Sequence, residues 1–162
     1  MAMTIDVLLR LLQQHRLVSV VGPGGIGKTT VASAAAEALV ASYQHGVRFV
    51  DLAPLGDLRL VLCAVASVVG LTTRSENTPA VLTAYLRDKQ TLIVLGSYEH
   101  VIEGAASLAE QIIGSAPNVH ILATSREPLN LRGEQVQRLS LLASPPCSPG
   151  LTAAEAITFP AV

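Results

Sequence analysis

Apolar residues gather along this chain in short runs, separated by longer stretches whose apolar positions recur three and four apart. The runs Leu17–Val21, Val47–Val50, Thr91–Leu95 and Val119–Ala123 read as strands, the first of them buried, and Glu134–Leu141 reads as a fifth. The intervening periodicity predicts helices at about residues 28–43, 57–70, 79–88 and 100–114. Met1 to Arg16 reads as a further, amphipathic helix, with Ile5, Leu8, Leu9 and Leu12 on one face. Gly70 is placed to end the helix before it, and Ser75–Pro79 reads as a turn with proline near the next helix start. Strands alternating with helices predict an α/β fold of three layers around a mainly parallel five-stranded sheet. After Leu142 the pattern stops. Ser144-Pro145-Pro146-Cys147-Ser148-Pro149-Gly150 is a proline-stiffened linker, so the expected division is a domain at 1–142 and a linker with the start of another segment at 143–162.

Directly after the first strand stands Gly22-Pro23-Gly24-Gly25-Ile26-Gly27-Lys28-Thr29, a G-x-x-x-x-G-K-T loop that opens a helix. Strand, glycine loop and helix are the context in which this pattern cradles phosphates, so a P-loop NTPase fold is expected. The glycines let successive backbone N–H groups curl around an anion, and the helix N-terminus adds positive potential. Lys28 is expected to reach the β- and γ-phosphates, Thr29 to ligate Mg²⁺, and Thr30 to donate to the α-phosphate.

Turnover by such a site usually needs an acid at the end of another strand. After Thr91–Leu95 the chain reads Gly96-Ser97-Tyr98-Glu99-His100, with glycine where the carboxylate is expected. Glu99, the nearest acid, either sits near the γ-phosphate or opens the following helix, where acids favour the dipole. Arg126, just past the fourth strand, either contacts the γ-phosphate or is a surface arginine paired with Glu127 or Glu134. Asp51 either assists Mg²⁺ or forms a turn beside Pro54.

Composition narrows the alternatives. With 11 basic and 12 acidic residues the chain lacks the electrostatic footprint of a nucleic-acid binder. Only 14% of residues are charged, which fits strands apolar on both faces or a module of a larger protein. The longest charge-free run without a turn signal, between Arg59 and Arg74, is too short to span a bilayer and reads as a core helix. No signal peptide is read at the start. Cys63 and Cys147 have no metal or redox spacing; Cys63 reads as a small core residue, and a reducing cytoplasm is the expected location. His15, His45, His100 and His120 share no ligand spacing.

These residues together resemble the nucleotide-binding domain of STAND-type signalling ATPases, most of all the NB-ARC-like ATPase of bacterial winged-helix (OmpR/LuxR-type) transcriptional regulators. The resemblance rests on Val20 through Thr30, Arg48–Leu55, Glu99–Ile102, Ala123–Leu129 and Leu131–Glu134, and it extends to Leu151–Ala156. It implies an ATP/ADP-driven switch with Lys28 and Thr29 as Walker A residues and Arg126 as a sensor arginine. It also implies partner helical, winged-helix and repeat domains outside these residues, with DNA reached only through such a separate domain. The family usually carries Asp-Asn-Cys-Glu-His where this chain has Gly96-Ser97-Tyr98-Glu99-His100, so hydrolysis is expected to be weak or absent. Two other functions compete: an active ATPase or small-molecule phosphotransferase, and a pseudo-NTPase that serves as an interaction scaffold.

Overall fold

A computed structural model describes residues 2–72 and 77–140. Five strands, β1 (Leu17–Val21), β2 (Val47–Asp51), β3 (Thr91–Gly96), β4 (Val119–Ser125) and β5 (Gln135–Arg138), form one sheet. They run in the order β2-β3-β4-β1-β5, and every neighbouring pair is parallel. The helices are α1 (Ala2–Gln14), α2 (Lys28–Ala38), α3 (Leu58–Val68), α4 (Thr78–Leu86) and α5 (Ile102–Ser115).

Alternate residues of the strands belong to two different cores, which is what a sheet covered on both faces requires. Val18 and Val20 of β1, Leu92 and Val94 of β3, and Leu122 of β4 pack with α1 and α2. Leu17, Ile93, Leu95, Ile121 and Ala123 face the other way, against α3, α4 and α5. The expected three-layer, five-stranded architecture is therefore present, and the sheet is wholly parallel. Leu8 and Leu12 of α1 are 0% and 1% exposed. Burying two leucines contributes about 1.5–3 kcal/mol each, enough to make α1 part of this domain.

Helix ends follow the local chemistry. Gly70, at φ +90°, closes α3 in a Schellman arrangement: Leu71 N–H donates to the Ala66 carbonyl and Gly70 N–H to that of Ser67. The first long helix is shorter than expected, because α2 stops at Ala38 and a single 3-10 turn, Val40–Ser42, follows. Cys63 departs from the expectation of a core position. It is exposed, because α3 turns Val61, Leu62, Val65 and Ala66 inward and leaves Cys63 off that stripe. The expected linker at 143–162, Cys147 and the first two residues of the 75–79 turn lie outside the described residues. No helix among the described residues is long and apolar enough to cross a membrane.

Candidate nucleotide site

In the sheet order β4 lies between β1 and β3, so the carboxyl ends of all three open onto one crevice. The β1 side of that crevice begins under close confinement. Gly22 N–H donates to the Ser125 carbonyl at 3.2 Å, and Leu139 N–H to that of Val21 at 2.8 Å. A Cβ at Gly22 would lie 2.5 Å from Ile26 Cδ1 and 2.7 Å from the Leu139 carbonyl oxygen, so only glycine fits there. Gly27, at φ +85°, is the N-cap of α2 and supplies no side-chain cap; the first turn holds no acid. The leading N–H groups of α2 therefore lack a side-chain acceptor and form an anion-binding end. Lys28 donates from Nζ to the Pro23 carbonyl at 2.7 Å, which folds its ammonium back across the loop.

The β3 side is built differently. Gly96 pairs with Thr124 of β4 and Asp51 of β2. Ser97 N–H donates to the Thr124 carbonyl at 2.9 Å, and Ser97 sits at φ +57°, a left-handed conformation unusual for serine. That reversal sends Tyr98 into the core, 0% exposed, and turns Glu99 toward the crevice. Helix α5 does not start until Ile102, and the acid in its first turn is Glu103. Of the two positions open to Glu99, the crevice is thus the one it takes. Asp51 takes the turn position: its Oδ1 accepts from Ala53 N–H at 3.0 Å.

From β4 come Thr124 and Arg126. The Arg126 guanidinium hangs over the glycine loop, with Nη2 3.2 Å from where a Cβ on Gly24 would stand. Glu134 is engaged elsewhere, accepting from Leu129 N–H at 2.9 Å and Leu131 N–H at 3.2 Å. The crevice holds about 550 Å³. Gly24, Gly25, Gly27, Lys28 and Thr29 line one wall, and Ser97, Glu99, Thr124 and Arg126 line the other. Four further residues with assigned roles stand apart from this lining. Gly22 and Ile26 form the packed base of the loop, Pro23 presents its carbonyl to Lys28, and Thr30 is exposed in the first turn of α2.

Two residues of this region carry no role in the sequence reading. Thr124, the penultimate residue of β4, reaches the crevice by the same strand-end rule that marks Arg126. Tyr98 donates its hydroxyl to the Glu127 carbonyl at 3.1 Å, across the end of the sheet. Burial pushes that hydroxyl well above the usual phenol range; the Ser19 hydroxyl opposes the shift, Glu134 and Glu99 reinforce it, and Ser125 opposes it weakly. Tyr98 is consequently a permanent O–H donor at neutral pH. A second polar pair, Tyr43 hydroxyl and His120 Nδ1 at 2.6 Å, lies at the amino end of β4, far from the crevice. No group of three or more His, Cys, Asp or Glu side chains among the described residues is placed to hold a metal ion.

No protein-family model matches the chain. Over 130 residues it is 38% identical to a candidate HTH-type transcriptional regulator of Mycobacterium tuberculosis, a match spanning 80% of this chain and 14% of that protein. An uncharacterized Mycobacterium bovis protein is 30% identical over 131 residues, covering 80% of this chain and 33% of its own length. The chain thus spans a third or less of the length of these relatives. Among solved structures, Cdc6p from Pyrobaculum aerophilum superposes with a TM-score of 0.60 at 13% identity, over 83% of this chain and 43% of that one. A STAND protein with a tetratricopeptide repeat sensor, a signal transduction ATPase from Pyrococcus horikoshii, gives 0.60 at 16% identity, over 87% and 23%. The chain therefore has the fold of P-loop ATPases and is related over most of its length to part of larger mycobacterial proteins, one of them a candidate transcriptional regulator.

Proposed function

We propose that the crevice binds ATP or ADP, and that the chain is the nucleotide-holding switch module of a signalling ATPase or transcriptional regulator, with weak or absent hydrolysis. The observation that carries this reading is the β1–α2 loop: left-handed glycines, an uncapped helix N-terminus and the Lys28 ammonium meet in one open crevice. That donor set suits a di- or triphosphate, which offers many acceptors and high negative charge. Lys28 would exchange its Pro23 carbonyl for phosphate oxygens. The loop N–H groups would hold the β-phosphate, with Thr30 near the α-phosphate. Arg126, above Gly24, would contact the γ-phosphate and so separate ATP from ADP. Mg²⁺ would neutralise phosphate charge, with Thr29 as its one protein ligand from the loop.

Gly96 supports the expectation of slow turnover, since it offers no carboxylate to order the ion's water shell. Glu99 favours a second reading, a slow ATPase, because its carboxylate lines the same crevice and is available to accept a proton from water. A regulatory module of this kind would act through neighbouring helical, winged-helix or repeat domains of a longer protein, in the cytoplasm, and would reach DNA only through such a domain. The absence of an Asn-Lys-x-Asp guanine-reading motif in the sequence favours adenine. Displacement of a fluorescent ATP analogue by ATP, ADP and GTP, paired with a phosphate-release assay, tests the reading. Displacement by ATP and ADP with phosphate release near background is expected. No displacement by any nucleotide would overturn it, and sustained release abolished in Glu99→Gln would replace it with the ATPase reading.

A further inference from the structure

One fastening of the loop that follows β4 comes from the other wall of the crevice. Past Arg126 the chain has its Leu129 and Leu131 N–H groups tied to Glu134, within the same loop. Glu127, the residue next to Arg126, has its carbonyl held by the Tyr98 phenol hydroxyl at 3.1 Å. Tyr98 can make this bond because its own place is fixed from two directions. Ser97 is laced to Thr124 by its N–H, and the Tyr98 carbonyl accepts from Val101 N–H at 2.9 Å just ahead of α5. The ring is fully buried in the α3–α5 core, and its hydroxyl lies beside the buried Ser19 and Ser125 hydroxyls, neither of which makes a well-formed hydrogen bond of its own.

We propose that Tyr98 is a positioning residue for Arg126: by holding the Glu127 carbonyl, its hydroxyl sets the course of the chain directly after Arg126 and keeps the guanidinium over Gly24. Arg126 is exposed, so the course of its backbone bears directly on where its guanidinium stands over Gly24. The bond also joins the β3 end to the β4 end, so that Glu99 and Arg126 move as one wall. The consequence for ligands rests on the reading above, in which Arg126 meets the γ-phosphate. Tyr98 then supports preference for a triphosphate without touching it.

Tyr98→Phe in the full chain tests this, with Tyr85→Phe as the matched control, because the Tyr85 hydroxyl donates to the Val69 carbonyl at the same 3.1 Å, remote from the crevice. The first readout needs no nucleotide: the rate of tryptic cleavage after Arg126, followed by mass spectrometry. Tyr98→Phe is expected to speed that cut about fivefold, the equilibrium worth of one hydrogen bond, while Tyr85→Phe leaves it unchanged. An unchanged rate in Tyr98→Phe would overturn the proposal. The second readout is the ratio of ATP to ADP affinity in Tyr98→Phe, Arg126→Ala and the double variant. The ratio should fall toward one in each, with no further fall in the double variant, whereas a purely structural loss would weaken both nucleotides alike and count against positioning. Faster cleavage with no nucleotide bound by the unaltered chain would leave Tyr98 as the fastener of this loop and overturn only the nucleotide reading.

Discussion

At the end of β1 the groups that face the crevice are backbone N–H donors, one ammonium and the glycines of the loop, left-handed at Gly25 and Gly27. At the end of β3, by contrast, the strand closes on Gly96, a serine holds a left-handed conformation, and the one acid among the described lining residues, Glu99, stands three residues on. Both ends are equally well built as structure: each is laced by backbone hydrogen bonds to β4, at Ser125 and at Thr124. They differ in what they offer a ligand. Holding a phosphate needs only donors and positive potential, which backbone and Lys28 supply. Splitting one needs a placed acid or base, and there the chain departs from its expected pattern. On the proposed reading, binding and turnover would be separable, strand end by strand end.

The comparison breaks most sharply at Lys28. Lys28→Ala removes charge-assisted bonds to two phosphates, at about 1.5–3 kcal/mol each, so nucleotide affinity should fall at least about a hundredfold in a calorimetric titration. Retained affinity would show that the β1 end is not the binding half. Next in size is Gly22→Ala. Its methyl would press on the Leu139 carbonyl at 2.7 Å, so thermal unfolding should reveal a loss of about 1–3 kcal/mol. Equal stability would mean the confinement of that end is illusory.

Gly96→Asp sharpens the other half. A Cβ there would meet Thr124 Oγ1 at 3.7 Å and the Val50 carbonyl at 3.8 Å, ordinary contact distances, so a side chain can begin at this position without a clash. Its expected effect is to make ATP affinity depend more strongly on Mg²⁺, by roughly the worth of one charge-assisted interaction. An unchanged Mg²⁺ response would place the metal-organising position elsewhere. The smallest effect belongs to Ser97→Gly. Relief of a left-handed serine, about 1 kcal/mol or more, is largely offset by the added freedom of glycine when unfolded. A net gain of about 0.5 kcal/mol is expected from denaturant melts, and a clear loss would show that the serine side chain matters more than its backbone.

The strand, glycine loop and helix at the β1 end were legible in the residue order, because that signal is local: glycines, lysine and threonine at fixed spacing between an apolar run and a helical one. The inner strands β1, β3 and β4 were equally readable, since burial on both faces writes itself as a continuous apolar run, whereas β2 at the edge leaves Arg48, Phe49 and Asp51 exposed. What could not be read is what depends on contacts across the sheet. The choice between a helix-opening and a crevice-facing Glu99 turned on where Ser97 reverses the chain. Thr124 joins the site, and Tyr98 joins the two loops, only because β4 lies between β1 and β3. Cys63 misled for the opposite reason. Helix α3 is apolar nearly all round, and Leu58 and Leu60 remain 43% and 47% exposed, so apolar character did not mark the buried side.

The central claim, a crevice that holds nucleotide without the usual metal-organising acid, is tested most directly by calorimetric titration of the unaltered chain with ATP and with ADP, each with and without Mg²⁺. Binding of both nucleotides with little change on adding Mg²⁺ is the predicted result. Affinity that appears only with Mg²⁺ would contradict it, because the β3 end would then be organising the ion despite Gly96, and absence of binding under all four conditions would contradict the nucleotide site itself.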